Sequence, residues 1–202
     1  MMKRMQMLMG LLAMGLAPIQ GGEEERVLPA PVQAGGMPLM EAIATRHSSR
    51  DFDAGRTVEE QLLGEILWVA WGQNVHGKRT IPTSRNLQNM QLYLLTPEGA
   101  WRYEGEQHRL VKVTGENLIP LCARQDFVTN APVHLLYVVR DDRGGLCHVG
   151  SAYQNVYLYA TWRGLSCVVR AMIDAPALAR ALHLPADHLV VVHQCLGWPK
   201  MP

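Results

Sequence analysis

The chain has 202 residues, of which 48% are hydrophobic and 18% are charged, and its formal net charge is +1. This composition excludes an intrinsically disordered chain, and the length fits one domain better than two. A net charge so close to zero gives no reason to expect nucleic acid or an anionic membrane surface as a partner, so the function has to be inferred from local groups of residues.

The N-terminal 22 residues are typical of a secretory signal peptide. A basic start over 1–4 precedes an almost entirely apolar run over 5–16, and Pro18, Gly21 and Gly22 follow it. The apolar run is shorter than the roughly 20 residues that a transmembrane helix needs. We therefore expect an exported, most simply periplasmic, protein with no stable membrane insertion after processing. An amphipathic or buried N-terminal helix is the alternative, although the run shows no polar face at helical spacing.

The first elements of the mature chain are helical. An extended lead-in over 23–36, rich in proline and glycine, precedes a short helix over 38–45. Thr57 and Glu60 have capping-box spacing, which predicts that a second helix begins at Thr57. The apolar stripe that follows is wide enough to face a core, and Gly72 is a suitable stop.

Strands dominate the middle of the chain, and helices return near its end. Alternating apolar residues separated by turn residues predict antiparallel hairpins between 91 and 113. The further predicted elements are a short helix over 117–122, an apolar strand over 132–139, a long helix over 148–163 stopped by Gly164, a short strand over 165–169, a helix capped by Asp174, and a last strand over 189–196. This order predicts an α+β domain over 37–202 rather than a regular βαβ array.

Cysteine and histidine spacing predicts no metal site. The four cysteines are Cys122, Cys147, Cys167 and Cys195. They include no Cys-x-x-Cys pair, and although three disulfide pairings are open to an exported protein, we predict none. His183, His188 and His193 recur every five residues, which fits neither a helix face nor a strand face.

One short basic segment has the chemistry of a phosphate clamp. Arg46, Ser48 and Arg50 alternate with His47 and Ser49. In an extended segment alternate side chains point to one side, so two guanidinium groups and a hydroxyl would converge. Guanidinium is planar and always charged, which suits bidentate binding of phosphate. A solvated basic segment is the alternative.

A second segment could face an aromatic heterocycle with polar edges. Asn86 and Gln88 place two carboxamides two residues apart, preceded by Ser84 and Arg85. A carboxamide both donates and accepts hydrogen bonds, as does the edge of a flavin ring. A nearby cation such as Arg85 would stabilise the anionic reduced flavin. A capping serine followed by two surface amides is the alternative.

Four segments together resemble the nitroreductase superfamily and span nearly the whole mature chain. Residues 46–52 are similar to its N-terminal motif of Arg, Ser and Arg or Lys followed by Phe. Residues 82–88 are similar to its Pro-Ser-Ser-x-Asn-x-Gln segment. Residues 153–165 resemble its central dimer helix followed by Gly-Leu, and 190–199 resemble its closing strand. Within the superfamily the resemblance is to the SagB-type branch of thiazoline-oxidising dehydrogenases and small exported proteins.

The resemblance implies an intertwined homodimer in which a mainly antiparallel sheet is flanked by helices and two FMN sites lie at the subunit interface. By motif position, the phosphate of FMN would be held by Arg46, His47, Ser48 and Arg50. Asn86 would contact the ring, with Ser84 and Gln88 nearby. The backbone of Val169, Arg170 and Ala171 would pass beside the ring near N5, and Lys200 is the remaining candidate for a basic C-terminal contact.

The sequence departs from the superfamily pattern at three places. Asn89 and Met90 replace the usual Pro-Trp after Gln88, which predicts a different substrate pocket. The chain has only Lys200 where relatives carry a basic tail. Arg170 replaces an apolar residue, which would place a charge near the ring; that charge could tune the reduction potential or select an anionic substrate, and both roles stay open.

The implied activity is electron transfer from NAD(P)H or another reduced donor, through FMN, to a small organic acceptor such as a nitroaromatic or a quinone. No catalytic acid–base pair is required, because the cofactor carries the chemistry. One alternative is a SagB-type dehydrogenase or oxidase that acts on a peptide or metabolite. Another is a protein that binds flavin without turnover.

Overall fold

A computed structural model describes residues 24–140 and 143–201, so the expected signal segment lies outside the described residues. The α-helices are α1 (Leu39–Thr45), α2 (Glu60–Trp71), α3 (Ile119–Cys122), α4 (Arg143–Arg163) and α5 (Ala175–Ala181). The strands are β1 (Glu25–Val27), β2 (Met90–Thr96), β3 (Gly99–Glu104), β4 (Arg109–Thr114), β5 (Val133–Arg140), β6 (Ser166–Arg170) and β7 (His188–Gly197). Two short 3-10 helices cover Ser84–Asn86 and Asp126–Asn130.

The described strands form one antiparallel sheet in the order β1-β4-β3-β2-β5-β7-β6. This confirms the predicted α+β class with a mainly antiparallel sheet and the predicted hairpins β2-β3-β4. Strand β1 was not predicted, because it has only three exposed residues and no apolar alternation. It forms within the lead-in by pairing with β4, where Arg26 lies opposite Leu110.

The central strand β5 is buried on both faces, which explains why its sequence is continuously apolar. Val133, Leu135 and Tyr137 join the core cluster formed with α2 and α4. Leu136 and Val138 join the opposite cluster, to which α5 contributes. Helices therefore cover the two faces of the sheet, and α4 packs along α2, β5, β6 and β7.

The predicted capping box at the start of α2 is wrong. The helix begins at Glu60, the N-cap is Glu59, and no side chain caps it. The Glu60 carboxylate instead accepts a hydrogen bond from Arg26 Nε at 2.7 Å. Local spacing pairs the Glu60 carboxylate with Thr57. In the structure its partner comes instead from strand β1, which the sequence did not predict.

Other helix ends agree with their sequence signals. Asp174 caps α5 by accepting a hydrogen bond from the Ala177 amide at 3.1 Å. Gly164 follows α4 with φ of 69°, a left-handed conformation that favours glycine, and Gly72 follows α2. The long helix begins at Arg143, five residues earlier than predicted. Within 24–140 and 143–201, no helix combines the length and hydropathy needed to cross a membrane.

Candidate functional site

The basic segment over 46–50 runs beside β6 and alternates its side chains as expected. The Ser49 amide donates to the Cys167 carbonyl at 2.9 Å, and the Ser49 and Ser166 hydroxyls lie 2.9 Å apart. His47 lines the same cavity of about 370 Å³ as Ser49, Ser166 and Cys167. His47 is therefore on the face of the segment that Ser49 occupies.

Arg46 and Ser48 meet at Tyr157 of α4. The Ser48 hydroxyl lies 2.9 Å from the Tyr157 hydroxyl, and the Arg46 guanidinium carbon lies 5.2 Å from the centre of its ring. The Val169 amide donates to the same phenol oxygen at 2.8 Å. Because that oxygen accepts from Val169, the phenol proton can be donated to Ser48, and the Ser48 proton is then available to an anion.

Tyr157 is thus a residue that the sequence did not single out. Its side chain is buried, yet it joins the predicted phosphate segment to the backbone predicted to pass beside the ring. The sequence signals were its place in the long helix, where a tyrosine is usually a core residue, and in the segment that resembles the dimer helix. The contact with Val169 also means that this amide is already used by the protein itself.

Arg50 does not rest on the same ring as Arg46. Its guanidinium carbon lies 5.9 Å from the centre of the Phe127 ring, where Arg170 also packs, at 5.8 Å. The two guanidinium groups of the predicted clamp therefore lie against different aromatic rings, and their joint binding of one anion stays a prediction. The nearby Lys200 ammonium is exposed and lies 4.0 Å from the Asp51 carboxylate.

The predicted position of the Arg170 charge beside the ring stays a prediction, but the side chain itself is buried. Arg170 is only 7% exposed. Its guanidinium donates to the Cys122 carbonyl, to Gln125 Oε1 at 3.0 Å and to the Met172 carbonyl at 2.8 Å. These donors hold the loops after α3 and β6 together, so the charge is directed into the interior. The backbone beyond it turns outward at the exposed Ala171.

Arg170 also contacts a buried group of histidine and cysteine that sequence spacing did not predict. His134 Nδ1 lies 3.2 Å from His193 Nε2, and Cys195 Sγ lies 3.7 Å from His193 Nδ1. Their ligand atoms lie within 4.8 Å of one another, as metal ligands would. However, the Arg170 guanidinium lies 3.5 Å from His193 Nδ1, and this permanent cation disfavours a metal ion there.

Burial keeps the two histidines of this group neutral. Desolvation lowers the pKa of His134 to about 4 and places the pKa of His193 well below its ordinary value. A neutral pair can share one hydrogen bond, with His193 donating from Nε2 and accepting the Arg170 proton at Nδ1. The group is thus a hydrogen-bonded support between β5, β7 and Arg170.

The segment over 84–88 has an unusual backbone. Arg85, Asn86 and Gln88 have φ of 48°, 55° and 47°, a left-handed conformation that is strained for residues other than glycine. The Ser84 amide donates to His148 Nε2 at 2.7 Å, which anchors the segment to α4. Ser84 and Asn86 are exposed. Strained backbone of this kind concentrates at binding sites, where the surrounding fold maintains it.

The two carboxamides of this segment are linked to each other and to Arg79. Arg79 Nε donates to Gln88 Oε1 at 2.7 Å, and Gln88 Nε2 donates to Asn86 Oδ1 at 3.2 Å. Burial lowers the pKa of Arg79, but a guanidinium stays charged. Arg79 was not predicted, since it lies nine residues before Gln88 in a turn-rich segment.

Four of the predicted site residues fall into two hydrogen-bonded groups. One contains Ser48 and Val169, joined by Tyr157. The other contains Asn86 and Gln88, supported by Arg79. Their chemistry fits a phosphorylated flavin, since the first group offers a hydroxyl with the Arg46 guanidinium beside it, and the second offers the exposed amide of Asn86.

Comparisons with known proteins identify the family of this chain. A model of the Nitroreductase family matches residues 43–198. A protein described as a candidate nitroreductase, from Methanocaldococcus jannaschii, is 29% identical over 153 residues, which are 64% of this chain and 76% of that protein.

Solved structures give the same result. The crystal structure of a candidate nitroreductase from Ralstonia eutropha JMP134 has a TM-score of 0.81 and 30% identity, over 89% of this chain and 91% of that one. The E. coli microcin synthetase McbBCD complex with truncated pro-MccB17 shares the fold, with a TM-score of 0.67 and 18% identity, over 96% of this chain and 85% of that one. With the nitroreductase-like fold and a family model matched over most of its length, this chain belongs to the nitroreductase family and has a general oxidoreductase role.

Proposed function

We propose that the protein is an FMN-dependent oxidoreductase that passes electrons from a reduced donor, NAD(P)H or another, to a small organic acceptor such as a nitroaromatic or a quinone. The observation that carries this proposal is the contact of Tyr157 with Ser48 and with the Val169 amide. Tyr157 thereby holds the proposed phosphate-binding segment and strand β6 in one fixed relationship, as a cofactor with a charged tail and a flat ring requires.

The phosphate end would be held by Arg46 and Ser48. Arg46 lies on the Tyr157 ring, so its side chain loses less freedom when it binds an anion. Ser48 is exposed and has a proton to donate once its oxygen accepts from Tyr157. Arg50, His47 and Lys200 are exposed nearby cations or donors that could add to this end after small side-chain movements.

The ring end would be held by the exposed Asn86, with Ser84 and Gln88 beside it, and the backbone from Val169 through Ala171 would pass beside the ring. FMN, when bound, would supply the two-electron chemistry, so the side chains need only bind, orient and exclude water. The hydrogen bond from the Ser84 amide to His148 suits such a positioning role, because it ties the strained loop to α4.

We also propose the homodimer and the export that the sequence predicts. Leu39, Met40 and Ile43 of α1 are 63%, 71% and 48% exposed, an apolar surface that a monomer would leave in water. The adjoining cavity of about 380 Å³ is lined by Leu158 and Trp162 of α4. NAD(P)H is scarce outside the cytoplasm, so an exported protein would receive its electrons from a quinol or from a protein.

The test is to purify the mature protein and titrate it with FMN. The proposal predicts a yellow product, or flavin absorbance gained on incubation, and bleaching of bound FMN by a reductant followed by reoxidation by a nitroaromatic. A protein that takes up no FMN contradicts the proposal. FMN that binds but cannot be reduced in the site supports a binding protein without turnover instead.

Variants then test the phosphate end separately. Arg46→Ala with Arg50→Ala should weaken FMN binding by about tenfold or more, or ~1.4 kcal/mol per factor of ten. Lys78→Ala with Arg180→Ala removes the same charge from exposed positions and should leave the affinity unchanged. Steady-state turnover with NADH or NADPH, compared with peptide or metabolite oxidation, separates a nitroreductase from a SagB-type dehydrogenase.

A further inference from the structure

Arg79 lies beneath the carboxamide pair and has no role in the general proposal. Its side chain is only 12% exposed, and its guanidinium carbon lies 4.6 Å from the centre of the Trp71 ring. Besides Gln88, it donates to the Trp71 carbonyl at 3.1 Å and lies 3.4 Å from the Glu106 carboxylate. These contacts from α2 and from the β3–β4 turn hold the guanidinium in one position.

The direction of the hydrogen bonds above Arg79 follows from chemistry. A guanidinium has donors but no acceptor, so the Gln88 atom facing Arg79 must be its oxygen. The Gln88 NH2 group then faces Asn86, and the Asn86 atom that receives it must be its oxygen. The Asn86 NH2 group therefore points away from Gln88.

We propose that Arg79 is a positioning residue that, through Gln88, fixes Asn86 as a hydrogen-bond donor toward the carbonyl edge of the flavin. This inference rests on the proposed function. Without Arg79, either amide could rotate by half a turn, and Asn86 would present an oxygen as readily as an NH2 group. A carbonyl edge needs donors, because negative charge increases there when the ring is reduced.

The consequence is a higher affinity for reduced than for oxidised FMN. In Arg79→Met the amide pair loses its direction, so reduced FMN should lose about tenfold more affinity than oxidised FMN. For a two-electron couple, a tenfold difference lowers the midpoint potential by about 30 mV. Arg79→Lys keeps a group that only donates and should restore part of this shift.

A second variant separates the effect of amide orientation from the effect of the Arg79 charge. Gln88→Met breaks the chain of hydrogen bonds but leaves the Arg79 charge in place, so it should lower the midpoint potential by a similar amount. In the double variant with Arg79→Met, the shift of the midpoint potential should be no larger than in either single variant, because both substitutions interrupt the same series of hydrogen bonds. Gln107→Met, at an exposed position in the neighbouring turn, is the control and should cause no shift.

The amide direction can also be measured without any cofactor. In the 15N-labelled protein, the Gln88 side-chain NH2 signals should move in Arg79→Met and stay near their original place in Arg79→Lys. If the protein binds no FMN, the proposed function fails while this measurement still decides the direction of the amides. Additive potential shifts, an unchanged potential in Gln88→Met, or unmoved NH2 signals in Arg79→Met would each overturn the inference.

Discussion

The Tyr157 hydroxyl lies 2.9 Å from Ser48 Oγ, so a residue of α4 contacts a residue 109 positions earlier in the chain. The same oxygen accepts from the Val169 amide. One buried phenol therefore sets the separation between the segment proposed to hold phosphate and the strand proposed to lie beside the ring.

Removing the Tyr157 hydroxyl should lower the affinity for FMN more than it lowers the stability of the fold. Tyr157→Phe keeps the ring under Arg46 but leaves Ser48 without its partner, and we expect FMN affinity to fall by about tenfold. Fluorescence titration measures the affinity, and thermal unfolding measures the stability. Tyr153→Phe, one turn earlier on α4, removes a hydroxyl that is not part of this contact. Equal affinities in the two variants would show that the Tyr157 contact does not organise the site.

Arg170 should matter for stability and not for the reduction potential. Arg170→Met leaves the Cys122 and Met172 carbonyls without their donor, and we expect the free energy of unfolding to fall by about 3 kcal/mol. The midpoint potential of bound FMN should stay unchanged, since the guanidinium is directed into the interior. Arg180→Met at an exposed position is the control for urea unfolding. A large potential shift with normal stability would instead place the Arg170 charge beside the ring.

Acid should destabilise the fold between pH 6.5 and about pH 4 through the buried histidines. The pKa of His134 is lowered from 6.5 to about 4, and that of His193 is also lowered, so the unfolded chain binds protons that the folded chain excludes. The free energy of unfolding therefore falls with decreasing pH, by at most about 1.4 kcal/mol per pH unit for each histidine.

Urea unfolding at several pH values measures this dependence. His134→Gln removes one of the two groups and should reduce the slope by up to half, while His76→Gln, in an exposed turn, should leave the slope as it is. A slope that is identical in His134→Gln and in the unmodified protein would mean that other groups cause the acid sensitivity.

The cap of α5 should contribute about 1 kcal/mol. Asp174→Ala removes the acceptor for the Ala177 amide, whereas Asp174→Asn keeps an acceptor at the same place. Both variants lose the exposed ion pair with Arg124, so the difference between their unfolding free energies measures the cap alone. No difference between them would mean that the cap adds nothing to stability.

Local signals in the sequence predicted most elements because they act over a few residues. The apolar run of β5, the Asp174 cap and the Gly164 stop each depend on neighbours along the chain, and the structure confirms them. The capping box at Thr57 failed because the helix begins at Glu60. The Glu60 carboxylate is bound instead by Arg26, which comes from a strand that only pairing with β4 creates.

By itself, the sequence determined the fold class, the order of the hairpins and the long helix, and the family. Which side chains meet was decided only by the tertiary structure, because strand pairing and helix packing bring together residues that are far apart in sequence. Tyr157 joins Ser48 to Val169, Arg170 turns inward to the loop after α3, and Arg79 directs the amides, all through contacts that no local spacing encodes.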